Sequence, residues 1–192
     1  MPRAPRYAGS IVAPVAFVDE LAAARIGRTF NQYADGPRAP LLRERLVGYL
    51  ESRAGAAILL VGEAPGYRGA RVSGIPFTSE RQLTGSGPAE ATATIVHRVL
   101  AELEIEQDVL LWNVVPTHPG TASSNRPPSR AEIAAGLAFL APLAEGRRVV
   151  AVGRVAERAL GFPGIRHPSR GGAVSFRRGL RSVTSCGVYR WL

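Results

Sequence analysis

Three short apolar runs constrain this chain most: Ala56–Val61, Val109–Val115 and Arg148–Val152. The first is unbroken and stops at Gly62, and the third stops at Gly153. Runs this short, without alternation and bounded by glycine, suit strands buried on both faces rather than helices. Helical patterns fill the spaces between them. Pro88 fits the first turn of a helix over 88–104, with Ile95, Val96, Val99, Leu100 and Leu103 as its inward stripe. Ser129-Arg130-Ala131-Glu132 is a capping box opening a helix that carries Ile133, Leu137 and Leu140. A short helix is expected near 154–160, and two earlier ones over 19–26 and 40–53, the second with Leu42, Leu46, Val47 and Leu50 on one face. Leu180–Thr184 offers a fourth strand. Strands alternating with helices require a parallel sheet covered on both faces. The expectation is α/β: a single-domain three-layer α/β/α sandwich with a mainly parallel central sheet of about four strands. Residues 1–54 form an N-terminal extension with helices, and 55–192 the core.

The chain has 192 residues and is 46% apolar, enough for a substantial core in one domain. A single cysteine, Cys186, excludes an internal disulfide and any site needing several thiolates; it reads as a buried small residue. All 24 basic side chains are Arg against 15 acidic ones, a net charge of +9 that favours polyanions, nucleic acid first. Arg abundance from the coding bias of the source genome accounts for part of this charge. No apolar run approaches the roughly 20 residues of a membrane span. Arg3 and Arg6 precede the apolar stretch Ile11–Val18, but Pro14 and Asp19-Glu20 break the pattern of a signal peptide, so a cytoplasmic protein is expected. The first ten residues read as a loose tail.

In parallel sheets the working groups gather beyond the carboxyl ends of the strands. The first strand runs into Gly62-Glu63-Ala64-Pro65-Gly66-Tyr67-Arg68-Gly69, whose glycines let a ligand approach the backbone. It lacks the ending of a nucleotide P-loop, and Gly85-Ser86-Gly87 does not complete a dinucleotide fingerprint. Phe77, in the constrained loop Ser73-Gly74-Ile75-Pro76-Phe77-Thr78, is placed either to stack on a base or to pack on its own core. Asn113 ends the second strand, where its amide suits the edge of an imide-containing base or an internal hydrogen bond. His167, in Arg166-His167-Pro168-Ser169-Arg170-Gly171-Gly172, can donate to an oxygen that becomes negative. His97 and His118 are assigned structural roles.

In this order the motifs resemble the uracil-DNA glycosylase superfamily. Gly62-Glu63-Ala64-Pro65-Gly66 is similar to its first motif, especially as found in the iron–sulfur class. Phe77 matches the stacking ring, Asn113 in Trp112-Asn113-Val114-Val115-Pro116 the uracil-reading amide, and His167-Pro168-Ser169 the second signature. The resemblance covers roughly 56–190 and includes Asn125-Arg126-Pro127-Pro128 and Val150–Arg154. Two features depart from it. A four-cysteine cluster is impossible with Cys186 alone, Gly136 standing near one ligand position, so neither cofactor nor metal is expected. Ala64 replaces the water-positioning Asp of the best-known members, as in the iron–sulfur and related classes.

The resemblance implies a base-excision repair enzyme that flips uracil out of DNA and hydrolyses its glycosidic bond. Gly62, Glu63, Ala64, Phe77, Asn113 and His167 would line the base pocket, with His167 as the catalytic donor and Glu63 as the nearest carboxylate to orient water. Arg68, Arg71, Arg166, Ser169 and Arg170 would meet phosphates. The segment expected to wedge into a duplex reads Arg170-Gly171-Gly172-Ala173-Val174, without a large apolar tip. DNA carrying a deaminated base is the expected partner, the membrane is not, and the protein is expected to be monomeric. The rival readings are a glycosylase for hypoxanthine or xanthine, a DNA-binding member that has lost catalysis, and a small-molecule nucleotide hydrolase.

Overall fold

A computed structural model describes residues 13–185; the N-terminal tail and Cys186 lie outside them. Three parallel strands form the central sheet: β1 (Ile58–Gly62) lies in the middle, between β2 (Val109–Asn113) and the last strand of the chain (Arg148–Ala151). Side-chain alternation sends Leu59, Val61, Leu110, Trp112, Val149 and Ala151 to one face, while Leu60, Val109, Leu111 and Val150 go to the other. That is why the runs are apolar throughout: each face needs its own cover.

The first face is covered by α1 (Pro14–Ala23), α2 (Ala39–Ser52), α6 (Arg130–Ala144) and α7 (Arg154–Leu160), through residues such as Phe17, Leu46, Leu140 and Ala156. The second is covered by α5 (Ala91–Glu102) and α8 (Ala173–Ser185), through Val96, Leu100, Phe176 and Leu180. Two short helices, α3 (Ala70–Ser73) and α4 (Glu80–Thr84), follow β1. A small hairpin, β3 (Gly120–Thr121) and β4 (Ser124–Asn125), follows β2, so the edge strand Arg148–Ala151 is β5. The three-layer α/β/α architecture is as the sequence predicts.

Some local expectations are corrected. Leu180–Thr184 is not a fourth strand but the second half of α8. Phe176 and Leu180, four residues apart, both bury fully, as one helical face allows. Gly179 faces Ile165 there; a Cβ would stand 2.8 Å from its Cγ2. The chain beside β5 is instead Ile165, bridged in parallel to Val152. α1 begins at Pro14, ahead of the expected 19, because a proline at the first helical position gives up no hydrogen bond. α5 begins after Glu90 rather than at Pro88. The capping box forms as read: Ser129 Oγ accepts from the Glu132 amide and Glu132 accepts from the Ser129 amide, at 3.2 and 2.8 Å.

Candidate active site

The register decides where the site lies. Gly62 pairs with Asn113, so β1 and β2 end level, and the ladder continues through Val114 N–H to Gly62 O at 2.9 Å and Val115 N–H to Glu63 O at 3.0 Å. Gly153 N–H donates to Ile165 O at 2.9 Å, which brings the His167 loop alongside the end of β5. These three strand ends open into a cavity of about 380 Å³. Its lining includes Glu63, Ala64, Phe77, Asn113, His167, Ser169 and Arg170.

Asn113 is only 4% exposed, yet its amide makes no hydrogen bond with any described residue. The internal-bond reading of this residue therefore fails. The amide lines the cavity and is not among the fully buried polar atoms left without a partner, so solvent meets it there until a ligand takes its place. Gly62 lets the neighbours close in: a Cβ there would overlap the Phe77 ring and stand 2.9 Å from Asn113 Oδ1.

Phe77 carries a left-handed backbone with φ 53°, which a bulky residue adopts only when its surroundings impose it. Those surroundings are identifiable. Ser73 Oγ donates to Thr78 O at 2.6 Å, Tyr33 Oη donates to Gly74 O at 2.8 Å, and His97 Nε2 lies 2.9 Å from Thr78 Oγ1. α4 is anchored in turn by Glu80, paired to Arg38 and Arg45 at 2.9 Å each. His97 is thus a structural support for the Phe77 loop. His118 is fully buried and also structural, its ring nitrogens each 2.8 Å from the carbonyl oxygens of Pro65 and Thr121. It ties the glycine loop to the β3–β4 hairpin.

The tautomer of His167 follows from its partners. Ser169 N–H, which can only donate, points at Nδ1 from 3.2 Å, and Ser169 Oγ lies 2.8 Å from the same nitrogen. Nδ1 is therefore the lone-pair nitrogen and Nε2 carries the proton. Burial, with Arg166 adding to it, pushes the imidazole pKa down, so the ring is a neutral donor. Glu63 is pushed up by burial, against the opposing charge of Arg158.

The family model for the uracil DNA glycosylase superfamily matches residues 50–184. The chain belongs to the uracil DNA glycosylase superfamily. Membership supports DNA glycosylase activity in general terms. Among solved structures, the wild-type Pedobacter heparinus SMUG2 crystal structure superposes with a TM-score of 0.66 at 11% identity, over 92% of this chain and 100% of that one. At that identity the likeness concerns the fold. None of the curated proteins compared with the chain matches it.

The remaining expected residues of this superfamily member are dispersed around the cavity. Arg68 and Arg166 are exposed but do not line it, and Arg170 lines it, exposed, with φ 50°. Arg71 faces elsewhere: its guanidinium lies 4.6 Å from the centre of the Phe30 ring, and it does not line the cavity. Glu90 and Thr92, which the sequence reading assigned no role, also line the cavity, as do Asn125 and Arg126 of the Asn125–Pro128 stretch. Asn125 Oδ1 accepts from Tyr67 N–H at 2.9 Å, which fixes the glycine loop. Arg126 grips Glu132 through two hydrogen bonds of 2.8 and 2.6 Å. The resemblance had marked Asn125 and Arg126; nothing in the sequence marked Glu90 or Thr92. No helix among the described residues is long and apolar enough to cross a membrane, and no group of three His, Cys, Asp or Glu among them could hold a metal ion.

Proposed function

We propose that this chain is a monofunctional DNA glycosylase that turns uracil out of DNA and hydrolyses its N-glycosidic bond, acting as a cytoplasmic monomer. The observation that carries this reading is the Asn113 amide, without a partner among the described residues, facing one cavity with Phe77 and His167. An amide offers an acceptor and two donors, complementary to the N3–H and O4 edge of uracil. Cytosine would bury mismatched donors and acceptors, at about 1–3 kcal/mol for each.

Phe77 covers the base face, and the backbone of Gly62, Glu63 and Ala64 forms the floor. As the C1′–N1 bond breaks, negative charge grows on the base, and the His167 Nε2–H donates to uracil O2. A neutral donor avoids the desolvation cost of a buried imidazolium, and its loss costs about 10²–10³ in rate. Arg68, Arg166, Ser169 and Arg170 engage phosphates; Arg71 is left to its ring contact.

The wedge position carries only Val174, exposed at 79% on the first turn of α8. So small a tip opens paired DNA poorly, and single strands and mismatches are the expected substrates. The test is base release from single-stranded, U·G and U·A oligonucleotides, with hypoxanthine and xanthine as competing lesions and strand scission by alkali as the readout. Uracil release, fastest from single strands, is expected. Equal rates on all three would refute the wedge reasoning, and release of only a purine would overturn uracil as the substrate. Tight binding without scission would favour a catalytically inactive DNA-binding protein.

A further inference from the structure

The carboxylates withdrawn from solvent fall into two groups. Glu80, Glu132 and Glu157 are held, Glu80 by Arg38 and Arg45, Glu132 by Arg126 and Glu157 by the Gly164 N–H. Glu63 and Glu90 have no ion pair among the described residues, and both line the cavity. They differ in their surroundings. Glu63 directly follows β1, within the field of Arg158. Glu90 is the N-cap residue of α5, and its carboxylate fills a notch left by Gly66 and Gly69, where a Cβ at either position would overlap its oxygens. That loop also carries Ala64, where the resemblance places the water-positioning Asp of the best-known members. No hydrogen bond from a described residue reaches the Glu90 side chain.

We propose that Glu90 is the catalytic base that activates the attacking water, supplying from the start of α5 the carboxylate that Ala64 does not. The assignment rests on the glycosylase reading above. The water oxygen bonds to C1′ while the C1′–N1 bond breaks, and its electron pair leaves on the uracil anion held by His167. The water proton passes to the Glu90 carboxylate, which then returns it to the departing uracil. The products are free uracil and an abasic hydroxyl sugar, with Glu90 restored. Burial with no opposing cation pushes the Glu90 pKa up, which makes its ionised form a stronger base. The spacing of Gly66 and Gly69 also gains a reason: both glycines make room for this side chain.

The test compares wild type, Glu90→Gln and Glu63→Gln in single-turnover uracil release, alongside oligonucleotide binding and thermal melting. Glu90→Gln should lose about 10²–10⁴ in rate, the usual contribution of a general base, while binding stays within about 3-fold and the fold melts no lower. Glu63→Gln should lose less. The wild-type rate should fall as pH drops through an acid limb above the ordinary carboxylate range, and that limb should vanish in Glu90→Gln. Added formate should restore part of the rate of Glu90→Ala. Release by Glu90→Gln within about 3-fold of wild type, or a parallel loss of rate and binding, would overturn the assignment while leaving the glycosylase reading intact. A wild-type protein that releases no base would remove both.

Discussion

Replacing Asn113 by Leu separates stability from function at one residue. The two side chains have the same branched shape, and the site is 4% exposed, so the change removes polarity without opening a hole. In the free protein the amide faces the cavity and has no partner among the described residues, so its removal should change stability by no more than about 1 kcal/mol. For a domain of this size that is a change of at most about 4 °C in Tm. Catalysis should respond far more strongly. Two base-edge hydrogen bonds disappear and the uracil groups they served stay buried, a loss of about 2–6 kcal/mol, or about 30-fold to 10⁴-fold in single-turnover rate. Thermal melting followed by circular dichroism reads the first effect, and release of uracil from a single-stranded oligonucleotide reads the second. A Leu variant that melts far below wild type would mean that the amide is satisfied inside the protein. One that excises uracil normally would mean that Asn113 does not read the base.

Gly62→Ala, with its Cβ overlapping Phe77 and 2.9 Å from Asn113 Oδ1, should displace the ring and cut excision at least about 10-fold, while melting changes little because the exposed cavity absorbs the movement; unchanged excision would show that the close approach is dispensable. Glu132 contributes to acid stability. The Arg126 hydrogen bonds, together with backbone donors, hold its pKa at about 2 against an ordinary 4.5, so its stabilisation is full above about pH 4.5 and fades as pH falls toward 2. At most about 3 kcal/mol is involved. Glu132→Gln should flatten that part of the stability–pH curve, and an unchanged slope between pH 5 and 2 in urea titrations would refute the role assigned to the pair.

The sheet was legible because burial on both faces leaves an unmistakable mark: runs such as Ile58–Val61 with no polar interruption. The α6 start was legible for a different reason, since Ser129 and Glu132 satisfy each other locally. Leu180–Thr184 was misread because a five-residue window cannot separate a strand from the exposed half of an amphipathic helix; the decisive partners, Ile165 and Phe176, are set by tertiary packing. Glycine positions, strand ends and charge types pointed to the cavity. They could not reveal which way a side chain turns. Arg71 lies against Phe30, and Glu90 occupies a notch made by two glycines more than 20 positions earlier in the chain. Nor does the sequence show that Asn113 lacks an internal partner, which depends on every neighbour at once.

The most direct measurement of the central claim is release of free uracil from a uracil-bearing oligonucleotide by stoichiometric wild-type protein and by His167→Ala. Release by wild type with a rate about 10²–10³ lower in the variant is the predicted result. Equal rates from the two proteins, or no uracil from either, would contradict it.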